Sequence, residues 1–133
     1  MIKIYTDKMN SLTLKPDIQE LYKINEYIHD TLKIDNIRID LIVEEIFVNI
    51  VNYSKCDYIN VNLFYEDNIF TIEFIDNGIE FNPLLKEDPV MPDNIEEFEI
   101  GGLGIHLTKE ISNNITYEYL NDENHLKITK TVE

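Results

Sequence analysis

The segment Leu41–Asn52 is apolar on nearly every side when it is drawn as a helix. A helix of this kind is buried in a globular protein. Of its four polar residues, Glu45, Asn49 and Asn52 have a spacing of i, i+4 and i+7, which places these three on one narrow face. Each would cost about 1–3 kcal/mol if it were buried without a hydrogen-bond partner. The pattern therefore predicts a buried helix whose polar face meets either water or a polar ligand.

The commoner explanation of such a stripe is the solvated edge of an amphipathic helix. Glu44 fits that explanation, because it lies about 100° around the helix from Glu45. For the other three residues, the wide apolar arc leaves little room for a solvated face. An amide oxygen can coordinate Mg²⁺, and a carboxylate one turn away can polarise a hydroxyl group or water. We therefore interpret the stripe as part of a ligand cleft.

The length, composition and net charge of the chain exclude several classes of function. A chain of 133 residues with 44% hydrophobic residues is expected to form one folded domain, residues 1–133. Its net charge of −15 disfavours direct binding to nucleic acid or to an anionic membrane, both of which are bound chiefly through Lys and Arg. The chain shows no apolar run of about 20 residues and no signal-peptide pattern, and it has a single cysteine, Cys56. These features favour a cytoplasmic protein with a reduced thiol.

The hydrophobic periodicity alternates between helices and strands. The predicted order is strand, two helices, hairpin, long loop, short helix and hairpin. In residues these are Ser11–Leu14, Asp17–Leu32, a helix from the N-cap Asn36 to about Ser54, Tyr58–Tyr65, Ile69–Ile75, the loop Glu80–Ile100, Gly104–Ser112, Ile115–Leu120 and His125–Val132. The predicted turns are Glu66–Asn68 and Asn121–Asn124. This order predicts an α/β two-layer sandwich, with helices packed on one face of a mixed, mostly antiparallel sheet.

Two glycine motifs follow the helices. Asn77-Gly78 is a strong hairpin signal, but the chain after it does not continue as a strand. Asp76, at the end of a buried strand, could instead accept the exocyclic amine of adenine, and Gly78 would let the backbone approach the base. The second motif, Gly101–Gly104, opens a helix, where free N–H groups and the helix dipole favour a phosphate. A flexible connection is the alternative for this second motif.

These motifs occur in a specific order, namely Glu-x-x-x-Asn on a helix, Asp-x-Gly after a strand, and Gly-x-Gly before a helix. The set resembles the Bergerat ATP-binding fold shared by gyrase, MutL and the histidine kinases. In particular, it resembles the small anti-sigma-factor serine/threonine kinases of bacteria, over about Ser11–Val132. The flanking phrases Glu-Glu-Ile-Phe-Val-Asn, Asp-Asn-Gly-Ile-Glu-Phe-Asn-Pro and Gly-Gly-Leu-Gly-Ile-His-Leu belong to this resemblance.

The resemblance implies a role for each motif residue. Glu45 is similar to the family's catalytic base, Asn49 to its Mg²⁺ ligand, and Asn52 to a further polar residue of the same cleft. Loop 80–100 corresponds to the ATP lid. The remaining nucleotide contacts implied by the family are those of Asp76 and Gly78 with adenine, and of Gly102 and Gly104 with the phosphates.

The resemblance also implies a function. The family uses Mg-ATP to phosphorylate a serine or threonine of an anti-anti-sigma protein, and its alternative partner is a sigma factor. The resemblance leaves open whether this chain forms a homodimer. Sporulation-type members carry an arginine just before the second glycine cluster, where this chain has Glu99-Ile100. A non-catalytic ATP-binding module that sequesters its partner is therefore the alternative. A histidine-kinase catalytic domain fits less well, because His29 lies too close to Glu45 for a complete dimerisation hairpin between them.

Overall fold

A five-stranded sheet and two helical segments make up most of the computed structural model, which describes residues 10–85 and 108–132. The strands are β1 (Asn10–Leu14), β2 (Ile59–Glu66), β3 (Ile69–Asp76), β4 (Asn114–Leu120) and β5 (Glu123–Thr131). The helices are α1 (Leu21–Glu26) and α2 (Ile37–Tyr53), with short 3-10 turns at Ile18–Glu20 and Pro83–Leu85 and a π-helical turn at Tyr27–Thr31. Residues 108–111 are also helical.

The first predicted helix is present, but it is not one uniform α-helix. Its first turn is a 3-10 turn capped by Asp17, whose side chain accepts the Gln19 N–H at 2.9 Å. Its last turn is π-helical and ends before Lys33, which has a left-handed φ of 59°. His29 in that turn is 41% exposed and lies 3.0 Å from Asp40 Oδ1, which links the turn to α2. Hydrophobic periodicity alone does not separate these three helical forms, because the 3-10 and π-helical turns span only 3 and 5 residues.

Helix α2 begins and ends within one residue of the prediction. Asn36 is its N-cap, since its side-chain oxygen accepts the N–H groups of Arg38 and Ile39 at 2.9 and 3.2 Å. This satisfies two of the unpaired donors at the helix start. The residues that α2 buries against the sheet are Ile39, Ile42, Val43, Ile46, Phe47, Asn49 and Ile50. All of them except Asn49 are apolar, as the wide apolar arc predicts.

Both predicted hairpins form, with tighter turns than expected. The turn residues Asp67 and Asn68 have φ values of 53° and 64°, and Asn121 and Asp122 have 54° and 61°. Two left-handed residues in succession define the two-residue hairpin turn that matches strand twist. The prediction of a four-residue turn at Asn121–Asn124 is therefore wrong, because its last two residues are paired in β5.

The strand order is β1-β2-β3-β5-β4, and every pairing between described strands is antiparallel. Alternate residues of the central strands face the helices and form the core: Val61, Leu63, Phe70, Ile72, Phe74, Leu126 and Ile128. The predicted fold class is thus confirmed, with the sheet antiparallel throughout its described part. No helix in this part of the chain has the length and apolarity that a bilayer crossing would need.

Candidate functional site

The carboxylate of Asp76 lies on the inner face of the sheet. Burial alternates along β3, so that Phe70, Ile72, Phe74 and Asp76 all face the helices. Because side chains alternate along a strand, Asp76 lies on the same face as these apolar residues, and it is only 2% exposed. A buried carboxylate requires hydrogen bonds, since burying it without them is costly.

Three donors converge on one oxygen of this carboxylate. Asp76 Oδ1 accepts the hydroxyl of Ser54, the backbone N–H of Gly78 at 2.9 Å and Nδ2 of Asn124 at 3.0 Å. Ser54 is the C-cap of α2, and Asn124 is paired with Asp76 across the sheet. One oxygen thus joins the end of α2, the end of β3 and the start of β5. None of these three bonds uses Oδ2, the oxygen that could accept an amine.

Asn124 is the site residue that sequence analysis missed. Its Nδ2 donates to Asp76 Oδ1 and to the carbonyl of Ile79, the latter at 2.7 Å, while its Oδ1 accepts the Phe81 N–H at 2.9 Å and the Tyr117 hydroxyl. The side chain therefore uses both its donor hydrogens and both its acceptor lone pairs. The period-2 pattern that includes Leu126 and Ile128 could have revealed this inward-facing amide, but the predicted strand began one residue too late.

Asn49 provides an unsatisfied acceptor in the same region. It is 1% exposed, and its Nδ2 donates to the backbone carbonyl of Glu45 at 2.8 Å. This bond fixes the amide so that Oδ1 faces away from the helix backbone. Oδ1 is buried and has no hydrogen-bond partner among the described residues. A buried amide oxygen without a partner is costly, and it is also a suitable ligand for a hard cation such as Mg²⁺. The residue present thus fits the metal that the sequence analysis assigned to it.

Glu45 lies one turn before Asn49 and is partly buried, whereas Glu44 is exposed. Burial raises the pKa of the Glu45 carboxyl, and the negative charge of Glu44 raises the same pKa further. A carboxylate with a raised pKa is a stronger base than an ordinary surface glutamate. The prediction that Glu44 is a solvated edge residue and Glu45 is not agrees with these exposures.

The other predicted site residues have different surroundings. Asn52 is exposed and does not line the cavity that Asn49 and Asp76 share. Gly78 is buried against the end of α2, where an added Cβ would lie 2.1 Å from the backbone oxygen of Ser54. Its lack of a side chain therefore serves contact with the helix. Gly102 and Gly104, and residues 86–100 of the predicted lid, lie outside the described residues.

Asn49, Asp76 and Asn124 line one cavity, whose apolar walls come from α2 and the inner face of the sheet. Phe81, Pro83 and Tyr117 close its outer side, and the ring of Phe81 lies 5.8 Å from that of Tyr53. The remaining space is about 10 Å³, enough for one water molecule. This space is too small for a purine, so a purine bound here would require outward movement of the segment that carries Phe81 and Pro83.

The contact between Gly78 and Ser54 predicts the effect of Gly78→Ala. The new methyl group would meet the Ser54 backbone, which must then shift, so we expect a loss of about 1–3 kcal/mol in the free energy of unfolding. Urea denaturation would measure it. Ser54→Gly in the same chain should not restore stability, because the clash with the backbone oxygen remains. A fully stable Gly78→Ala variant would contradict the contact.

The raised pKa of Glu45 predicts that Glu45→Gln stabilises the folded chain at neutral pH. A carboxyl whose pKa is higher in the folded state destabilises that state once the pH exceeds both values. The advantage of the variant should therefore be complete at pH 7 and disappear below the ordinary pKa of 4.5. Urea denaturation between pH 4 and 7 would test this. Glu44→Gln is the matched control. It should lower the pKa of Glu45 and have a smaller effect on stability.

Comparisons with known proteins agree with the fold. Residues 22–130 match the family model described as the histidine kinase-like ATPase domain. Among solved structures, a histidine kinase, AdeS of Acinetobacter baumannii, has a similar fold, with a TM-score of 0.53 and 13% sequence identity over 93% of this chain and 68% of that one. No curated protein matches the sequence significantly. Because the family model spans most of the sequence, the chain belongs to the histidine kinase-like ATPase domain family, which supports ATP binding, usually with Mg²⁺.

Proposed function

We propose that the chain is an anti-sigma regulatory factor that binds Mg-ATP and phosphorylates a serine or threonine of an anti-anti-sigma partner. The observation that carries the nucleotide part is the cavity in which the buried, unpartnered Oδ1 of Asn49 and the carboxylate of Asp76 occur together. The kinase part rests on Glu45, whose pKa is raised and which lies one turn from Asn49. The choice of partner rests on the resemblance described above.

Adenine recognition would depend on Asp76. Its Oδ1 is held by three donors, which orients the carboxylate and leaves Oδ2 to accept the exocyclic amine of adenine. Guanine presents a carbonyl oxygen at the corresponding ring position, and two acceptors repel each other. The site should therefore discriminate against guanine nucleotides through an unpaired buried acceptor. Ser54 and Asn124 would act as positioning residues, because they touch the carboxylate and not the base.

The chemistry of transfer would depend on Asn49 and Glu45. Asn49 Oδ1 would hold Mg²⁺, which when bound supplies positive charge against the phosphates. Glu45 would accept a hydrogen bond from the incoming serine or threonine hydroxyl and take its proton as the oxygen bonds to the γ-phosphorus. The bond from that phosphorus to the β–γ bridging oxygen breaks, and ADP leaves. Partial burial suits this role, since it raises the pKa of Glu45 toward the working pH. In the predicted scheme Gly102 and Gly104 would contact the phosphates.

The acidic surface of the chain indicates the surface charge of the partner that it would bind. A net charge of −15 favours a partner with a basic surface and speeds their encounter, although charge does not select one protein. An anti-anti-sigma protein and a sigma factor are the partners we propose, in the cytoplasm, with a homodimer as a further assembly to test. Asn52 is exposed near the end of α2 and could contact such a partner.

A second candidate is a module that binds ATP and sequesters its partner without phosphate transfer. The observation that favours it is Glu99-Ile100, which stands where sporulation-type kinases have an arginine. Loss of a positive charge near the phosphates removes stabilisation of the transition state more than it removes binding. Binding and transfer are therefore measured separately below.

For binding, we predict that Asp76→Asn weakens ATP affinity about tenfold or more, because an amide offers the adenine amine a weaker, uncharged acceptor. Isothermal titration calorimetry would measure it. Asp122→Asn is the matched control, since it removes the same charge from the exposed turn between β4 and β5 and should leave the affinity unchanged. Equal affinities in all three proteins would argue against Asp76 as the adenine contact, and no binding by the wild type would refute nucleotide binding altogether.

For transfer, we predict that Glu45→Ala binds ATP normally and loses phosphate transfer by about 100-fold or more. The measurement is incubation of labelled Mg-ATP with an anti-anti-sigma protein encoded in the same genome, followed by identification of the phosphorylated residue. Glu44→Ala, an exposed neighbour, is the control and should transfer normally. Unchanged transfer by Glu45→Ala would remove the catalytic assignment, whereas tight binding without transfer by the wild type would favour sequestration.

A further inference from the structure

A second cavity lies at the opposite end of the sheet from Asp76. It measures about 330 Å³ and is lined by Asn36, Arg38, Asn113, Lys130 and Thr131. Thr131 is paired with Ile69 at the start of β3, whereas Asp76 ends that strand. Along α2, Asn36 and Asn49 are separated by about 20 Å at a rise of 1.5 Å per residue. The cavity is therefore distinct from the nucleotide site, although the same helix contributes to both.

The charge of this cavity is opposite to that of the chain. Acidic residues outnumber basic ones by 26 to 11 in the sequence, yet the described residues of the lining include two cations and no acid. Neither Arg38 nor Lys130 forms an ion pair within the described residues. Arg38, the single arginine of the sequence, also stands in the first turn of α2, where the helix dipole disfavours a positive charge. Two like charges in one concave site, without a counter-charge, point to an anionic ligand.

The polar groups suit a compact dianion. The guanidinium of Arg38 offers a planar pair of N–H donors, and the ammonium of Lys130 offers a second charge. Asn113 Oδ1 accepts the Thr131 N–H at 2.5 Å, so this bond leaves the Asn113 Nδ2 group available as a neutral donor. The backbone N–H groups of Arg38 and Ile39 already donate to the Asn36 side chain. A ligand in the cavity would therefore be held by side-chain donors and not by these two N–H groups. The volume lies within the range of small-molecule sites.

We propose that this cavity, lined by Arg38, Lys130 and Asn113, is a phosphate-binding site separate from the nucleotide site. Its ligand is inorganic phosphate or the phosphoryl group of a small phosphorylated molecule, held by the two cations and the amide. The site requires no nucleotide, and it stands or falls independently of the proposed kinase activity.

The test is a titration of the full chain, labelled with ¹⁵N, at constant ionic strength and followed by NMR. Inorganic phosphate should shift the amide signals of Asn113 and Thr131 in a saturable way, and acetate should not. Arg38→Gln and Lys130→Gln should each weaken binding about tenfold or more. Lys127→Gln is the matched control. It removes the same charge from the same strand, but its side chain lies on the opposite face, paired across from Glu73.

The outcomes distinguish free phosphate from a phosphorylated small molecule, and a specific site from general electrostatic attraction. Tighter binding of O-phosphoserine than of phosphate assigns the site to a phosphorylated small molecule, and the reverse order assigns it to the free ion. Shifts that increase linearly without saturation, or an equal loss in Lys127→Gln, would overturn the proposal in favour of general electrostatics. Shifts confined to Gly78 and its neighbours would place the phosphate in the nucleotide site and also overturn it.

Discussion

The burial of α2 against the sheet is the constraint from which the rest of the molecule follows. The apolar residues that α2 turns toward the sheet are almost fully excluded from water, and the sheet presents Phe70, Ile72 and Phe74 to them in alternation. Full burial of each such side chain contributes about 1.5–3 kcal/mol. Asn49, Asp76 and Asn124 are buried polar residues on these two apolar surfaces, so the packing that forms the core also brings their side chains into one cavity. The cavity therefore shares its apolar walls with the hydrophobic core.

The periodic features of the fold were predictable from the sequence. The ends of α2, the cap at Asn36 and the strand pattern that ends in Asp76 all depend on local spacing, which the sequence states directly. The assignment of Asn49 to a buried position followed from the same reasoning. These elements were predicted correctly because each is fixed by neighbours within a few residues along the chain.

Features that depend on tertiary contact were not predictable. The sequence pattern places Asn124 in a turn. The alternation of β5 could have indicated that its side chain faces inward, but the pairing that brings it to Asp76 is set by tertiary structure. The π-helical turn before Lys33 was read as ordinary helix. The approach of the Gly78 backbone to a base stays a prediction, whereas its close contact with Ser54, 24 residues earlier in the chain, has no signal in the local sequence. The roles of Gly102 and Gly104 stay predictions, because they lie outside the described residues.

The closed state of the nucleotide cavity has a consequence for affinity. Phe81 and Pro83 line the cavity, whose free space of about 10 Å³ is too small for a purine, and Asn124 holds this segment through the Phe81 N–H and the Ile79 carbonyl. The intrinsic affinity for a ligand is then reduced by the fraction of molecules that are open, and each 1.4 kcal/mol in favour of closure lowers the apparent affinity about tenfold. A substitution that weakens closure could thus tighten ATP binding without touching the ligand, and evolution could tune the ATP concentration to which the chain responds through residues that contact no nucleotide.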